Sequence, residues 1–179
     1  MLTDTQIKTL LDNKKISVSD FDESNLKAGK YDIRLGKTIL KPKNIGEVLD
    51  PASPKAKPEY ERIDLSQGES YIVKPGEFIL GQTHEMIGLD SDVGMLLDGN
   101  TTLARLGLMI HMTAMFINPG QDPGIITLEI HNAGPWQIKL SHKMIIGKLL
   151  VFEYSENNKI ANKSYNKYNA QKETVGALL

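Results

Sequence analysis

After Asp12-Asn13 the apolar residues of this chain come only in short runs, each broken by Gly, Pro, Asn or Asp. Such runs match strands separated by turns and argue for a mainly β fold. Candidate strands are Tyr31–Leu35, Ser70–Val73, Glu77–Gln82, Val93–Leu97, Leu108–Ile117, Ile125–His131, Gln137–Leu140 and Met144–Tyr154. Two short helices complete the expectation. Thr3-Asp4-Thr5-Gln6 reads as a capping box, with Ile7, Leu10 and Leu11 on one face behind it. Thr101–Leu106, stopped by Gly107, reads as a capped helical turn or two. Pro42 to Pro58 holds four prolines and reads as a long loop. The polar, Asn/Lys-rich stretch Ser155–Thr174 is expected to be mobile unless a ligand or partner orders it. With 179 residues and no internal repeat, one domain over residues 1–179 is expected, with 155–179 as its tail.

Composition narrows the chemistry. The formal net charge is -1, so no general attraction to nucleic acid or acidic membrane is expected. No apolar stretch reaches membrane-span length, and a secretion signal is not expected from the residues before the first helix. The chain has no cysteine. That excludes disulfides, thiol catalysis and the Cys-containing zinc site of the usual base deaminases, and it is compatible with a cytoplasmic location. The four histidines, His84, His111, His131 and His142, show no metal-ligand spacing. Phosphate-binding loops of the GxxxxGK[ST] and GxGxxG kinds, the GxSxG elbow and the HExxH helix are all missing.

One strand carries candidate chemistry. In Ile125–His131, the residues Ile126, Leu128 and Ile130 alternate with Thr127, Glu129 and His131. Period two sends the two sets to opposite faces, so Glu129 points away from the apolar one. A solvated face and a cleft presenting a general base both satisfy that pattern. Arg105 is equally open: a surface arginine near a helix C-terminus, or a fixed cation that orients a carboxylate or a base carbonyl.

Taken together, several segments resemble the dCTP deaminases of the dUTPase-like superfamily. Asp98-Gly99-Asn100-Thr101-Thr102-Leu103-Ala104-Arg105-Leu106-Gly107-Leu108 is similar to that family's D-G-R-S-S-L-A-R-L-G-L. His111-Met112-Thr113-Ala114 resembles H-V-T-A, Ile117-Asn118-Pro119-Gly120 resembles I-D-P-G, and Leu128-Glu129 resembles the L-E that carries the base. Tyr31-Asp32-Ile33-Arg34-Leu35-Gly36, Pro75-Gly76-Glu77 and Lys167-Tyr168-Asn169-Ala170-Gln171 match further motifs in family order.

The resemblance implies a distorted β-barrel or jelly-roll-like subunit, a homotrimer with active sites shared between subunits, and deamination of dCTP to dUTP. The substrate carries Mg²⁺ on its triphosphate, no zinc is used, and whether dTTP inhibits is left open. Carried over, Glu129 activates the water, Arg105 fixes Glu129 and the base, and Thr101 holds the water or ammonia. Ala114, beside Thr113, presents backbone groups to the base edge. Thr102, Lys167 and Gln171 hold phosphates, with Asn100 and Asn118 also at the substrate, and Tyr165 and Tyr168 close the tail over it. The chain departs from the family at Asn100 (usually arginine), Met115-Phe116, Asn118 (usually aspartate), Gln121-Asp122 and Lys172-Glu173. Two other readings stand beside this one. A dUTPase or bifunctional deaminase–dUTPase would use an aspartate near Asn118. A non-catalytic nucleotide-binding relative would keep only the assembly.

Overall fold

The computed structural model describes residues 1–53, 55–66, 68–159 and 167–178. Tyr165 lies outside the described residues. In chain order the elements are α1 (Asp4–Asp12), β1 (Ile16–Val18), a short 3-10 turn (Glu23–Asn25), β2 (Leu26–Lys27), β3 (Lys30–Arg34), β4 (Thr38–Pro42), β5 (Tyr60–Asp64) and β6 (Ser70–Val73). Next come β7 (Phe78–Leu89), β8 (Val93–Gly99), α2 (Thr101–Arg105), β9 (Leu108–Met109), β10 (Phe116–Ile117), β11 (Gly124–Asn132), β12 (Ile138–Ser141) and β13 (Ile145–Glu153).

The mainly β expectation holds. A six-stranded sheet runs β5-β4-β7-β11-β9, with β1 also paired to β7. A five-stranded sheet runs β10-β8-β13-β3-β2, and β12-β6 forms a small third sheet. The two large sheets share one apolar core, with Ile39, Ile79, Leu128 and Ile130 from the first meeting Ile33, Leu97, Leu149 and Val151 from the second. The sheets form a distorted β architecture without closing into a continuous barrel.

The Tyr31–Gly36 motif is a structural seam. Tyr31, Ile33 and Leu35 are buried at alternate positions, as period two requires. Between them the Arg34 Nε donates to the fully buried Glu85 at 2.7 Å, and the Arg34 backbone N–H reaches the same carboxylate. Gly36 has no room for a side chain, because Gln82 Cγ and Thr83 O would lie 2.6 and 2.7 Å from its Cβ.

Three expectations need correction. The expected strand Leu108–Ile117 is two separate two-residue strands in different sheets, joined by an irregular segment. The strands β1, β2, β4 and β5 are not expected from the pattern; β4 and β5 flank the long loop and pair with each other from Thr38↔Asp64 to Pro42↔Tyr60. The tail is seated on the sheet between residues 167 and 178, while residues 160–166 of the stretch expected to be mobile lie outside the described residues. Ile125 N–H donates to Gln171 O at 2.9 Å, and Thr174 is buried with its N–H and hydroxyl both donating to Gln82 Oε1. The polarity of residues 167–178 conceals the partners that β7 and β11 supply.

These contacts make a stability prediction. Gln82→Met keeps the volume and leaves two buried donors of Thr174 without an acceptor, which costs about 1–3 kcal/mol. At roughly 2–4 °C of Tm per kcal/mol for a chain of this size, thermal unfolding followed by circular dichroism should shift down by several degrees. An unchanged Tm would mean that Thr174 is not seated there.

Candidate active site

The pairing of β7 with β11 sets the position of Glu129. Its direct partner is Leu80, while Thr127 faces Gln82 and His131 faces Phe78. Leu128 and Ile130 point the other way and are fully buried. A bulge between Ile125 and Thr127 interrupts the alternation, so Ile126 does not join the fully buried set as expected. The spare Ile126 N–H is taken up by Thr83 Oγ1 at 2.9 Å, and Ile126 lines a cavity instead.

That cavity has a volume of about 450 Å³ and is lined by both polar and apolar groups. Glu129, Thr127, Asn118, Gln121 and Gln171 supply the polar atoms. Leu80, Phe78, Tyr60, Phe116 and Val175 supply apolar walls of the kind that exclude water from a flat ring. Glu129 is partly buried and its orientation is held by the backbone: Oε2 accepts from Met112 N–H at 2.8 Å. Its own N–H donates to Ile110 O at 3.0 Å. The irregular segment between β9 and β10 thus fixes the carboxylate and brings Ala114 to the rim. A carboxylate that faces a cavity with one oxygen tied by a backbone donor is suited to moving a proton at a fixed place.

Of the residues singled out in the sequence, the cavity gathers Glu129, Ala114, Asn118, Tyr168 and Gln171. Gln171 Oε1 accepts from Thr127 Oγ1 at 3.0 Å, two residues from Glu129 on the same strand. Lys167 Nζ reaches Leu178 O at 3.4 Å, and Thr113 is exposed beside Ala114 without lining the cavity. Asp122 is held by Asn169, whose Oδ1 accepts from Asp122 N–H and whose Nδ2 donates to the Asp122 carboxylate, each at 3.0 Å.

Asn100, Thr101, Thr102 and Arg105 are elsewhere, on α2. Asn100 is its N-cap, with Oδ1 accepting from Thr102 N–H at 2.9 Å and Leu103 N–H at 3.3 Å. Leu103 is buried and anchors the turn, while Thr101, Thr102 and Arg105 are exposed. Among the described residues Arg105 makes no ion pair. The helix ends on Gly107 at φ +89°, where a Cβ would collide with the backbone of Gly134. One copy of the chain therefore presents a cavity holding Glu129 and, apart from it, an outward-facing turn with hydroxyls and a cation.

Sequence reasoning passes over Tyr60, because β5 lies next to a stretch that reads as a loop. Leu80 and Phe78 fall within the expected strand Glu77–Gln82 without being singled out. The signal for those two is the strand pairing, which a single sequence does not display.

The chain is similar to known proteins. A family model described as dCTP deaminase-like matches residues 1–154. The "dCTP deaminase, dUMP-forming" of Tropheryma whipplei (strain Twist) is 37% identical over 156 residues, covering 87% of this chain and 79% of that protein. The protein of the same description from Clavibacter michiganensis subsp. michiganensis (strain NCPPB 382) is 38% identical over 157 residues, covering 87% and 77%. Among solved structures, the 2'-deoxycytidine 5'-triphosphate deaminase from Agrobacterium tumefaciens superposes with a TM-score of 0.64 at 18% identity, over 84% of this chain. The chain spans only 46% of the length of that Agrobacterium protein, and the likeness bears on the fold. With the strand order, the motif-bearing turn and most of its length accounted for, the chain belongs to the dCTP deaminase-like family.

Proposed function

We propose that this chain deaminates dCTP, with Glu129 as the general base. The observation that carries the reading is Glu129 itself, opening into the cavity while Met112 N–H holds one of its oxygens. The names of the relatives support the substrate class. In the proposed reaction Glu129 takes a proton from water as the oxygen bonds to C4 of cytosine. That proton passes to N3, giving a tetrahedral C4 that carries both a hydroxyl and the amino group. Glu129 then moves the hydroxyl proton to the 4-amino nitrogen as the C4–N bond breaks, leaving a C4 carbonyl, an N3–H and ammonia. The substrate is the Mg²⁺ complex of dCTP, so the metal travels on the phosphates. No zinc enters the proposed step.

The separate cavity and turn call for a second copy. Thr101 and Arg105 are exposed and lie outside the cavity that holds Glu129. In a homotrimer the α2 turn of one protomer would enter the cavity of the next, adding a hydroxyl for the water or ammonia and a cation for Glu129 and the base. Thr102 and Asn100 would meet the phosphates from the same turn, with Lys167 and Tyr168 meeting them from the tail.

The fate of the deaminated nucleotide has two readings. The relatives are named dUMP-forming, which differs from the dUTP product implied by the family resemblance and favours onward cleavage of the phosphates. Against that stands Asn118 at the cavity wall, an amide without a basic oxygen at neutral pH. Asp122, the nearest alternative in the turn, is engaged by Asn169.

This chemistry is open to two direct tests. Purified protein should release ammonia from dCTP with Mg²⁺ present, and Glu129→Gln should lower kcat by about 10²–10⁴-fold while dCTP still binds. Near-normal turnover by a folded Glu129→Gln protein would remove the mechanism. In a single reaction assayed for both products, ammonia should appear without matching pyrophosphate, because Asn118 cannot act as the second base. Equal ammonia and pyrophosphate would place this chain with its dUMP-forming relatives.

A further inference from the structure

The five-residue helix α2 is too short to hold its own direction, since isolated helices below about 12–15 residues are marginal in water. Beyond the buried Leu103, what fixes it lies at its ends. The exit is set by the close approach of Gly107 to Gly134 and by Ala133 N–H donating to Gly107 O at 2.9 Å. The entry runs through Gly99, the last residue of β8. Gly99 has no side chain, and nothing lies within 4 Å of where its Cβ would be, so packing does not confine it.

Its peptide groups are confined instead. Lys148 on β13 stands directly opposite Asp98 in the β8–β13 ladder. The Lys148 ammonium donates to Asp98 Oδ2 at 2.7 Å and to Gly99 O at 2.7 Å. Asp98 Oδ1 in turn accepts from Gly99 N–H at 2.8 Å. Both backbone polar groups of Gly99 are thus tied into one ring of charge-assisted bonds. The Lys148 hydrogen bond holds the Asp98 carboxyl below the usual carboxylate range, with the Gly99 N–H adding to it. Gly147, one residue before Lys148, lets β13 come close enough, because a Cβ there would meet Asp98 O and Ile110 Cδ1.

As a contribution to stability this pair is small. Half-exposed cross-strand ion pairs are worth roughly 0.2–1 kcal/mol, and Asp98 is 46% exposed. Its geometric consequence is larger, because the tied peptide is the one from which Asn100, Thr101 and Arg105 depart.

We propose that Lys148 is a positioning residue for the deamination reaction, acting through Gly99 to aim the α2 turn. The proposal rests on the reading that Thr101 and Arg105 serve the active site. Lys148→Met keeps the stem and removes the donors. It is expected to leave Tm within a few degrees of wild type, to raise hydrogen exchange at the Thr102 and Leu103 amides about tenfold, and to lower kcat/KM for dCTP about tenfold or more. Lys148→Arg, which can still reach both acceptors, should recover most of the loss. Unchanged exchange at α2, or raised exchange with kcat/KM within about twofold of wild type, overturns the proposal. A wild-type protein that releases no ammonia would sink the functional reading on its own, and the exchange at α2 would still decide whether Lys148 aims the turn.

Discussion

The register between β7 and β11 is the constraint on which the site depends. Leu128 and Ile130 have no exposed surface on one side of β11, and Glu129 sits between them facing the cavity. Because side chains alternate with period two, a slip of one residue would put the carboxylate into the apolar core and both aliphatic side chains into water. Burying an unpaired carboxylate is costly enough that the core itself selects the register that exposes Glu129. The bulge after Ile125 is part of the same solution, since it turns Ile126 onto the cavity wall while Thr83 satisfies its spare N–H.

The remaining pieces are arranged around that strand. The irregular segment between β9 and β10 gives Glu129 a backbone donor, and it can do so only because the chain leaves one sheet after Met109 and joins the other at Phe116. The tail returns along the opposite margin, with Gln171 on Thr127, Thr174 on Gln82, and Gly176 so close to the Tyr60 ring that a Cβ would overlap it. Strand, connection and tail thereby shape one cavity from distant parts of the chain, while α2 is held pointing outward by glycines and the Asp98–Lys148 pair.

Local pattern makes much of this legible, and non-local pairing accounts for the rest. Ser70–Val73 is readable with its observed bounds, and the capping box at Thr3 and Gln6 forms as expected, because both signals are contained in a few adjacent residues. The alternation around Glu129 is visible, but choosing between a solvated face and a cleft requires knowing that Leu80 and Phe78 lie across from it. Leu108–Ile117 looks like one strand because apolar composition does not show where a chain changes sheets. The tail looks loose because its partners, Gln82, Thr127 and Tyr60, are far away in sequence. Lys148 carries no local signal: its meaning comes from standing opposite Asp98.

We propose that Glu129 from one protomer and Arg105 from another work in one site. Glu129→Gln and Arg105→Ala proteins, each expected to lose most of its activity alone, can be mixed, dissociated, reassembled and assayed for ammonia release from dCTP. Shared sites predict that activity returns on mixing, since some mixed assemblies contain a site with an intact Glu129 and an intact Arg105. Activity that stays absent in assemblies verified to contain both variants would contradict the account and place both residues in the service of a single protomer.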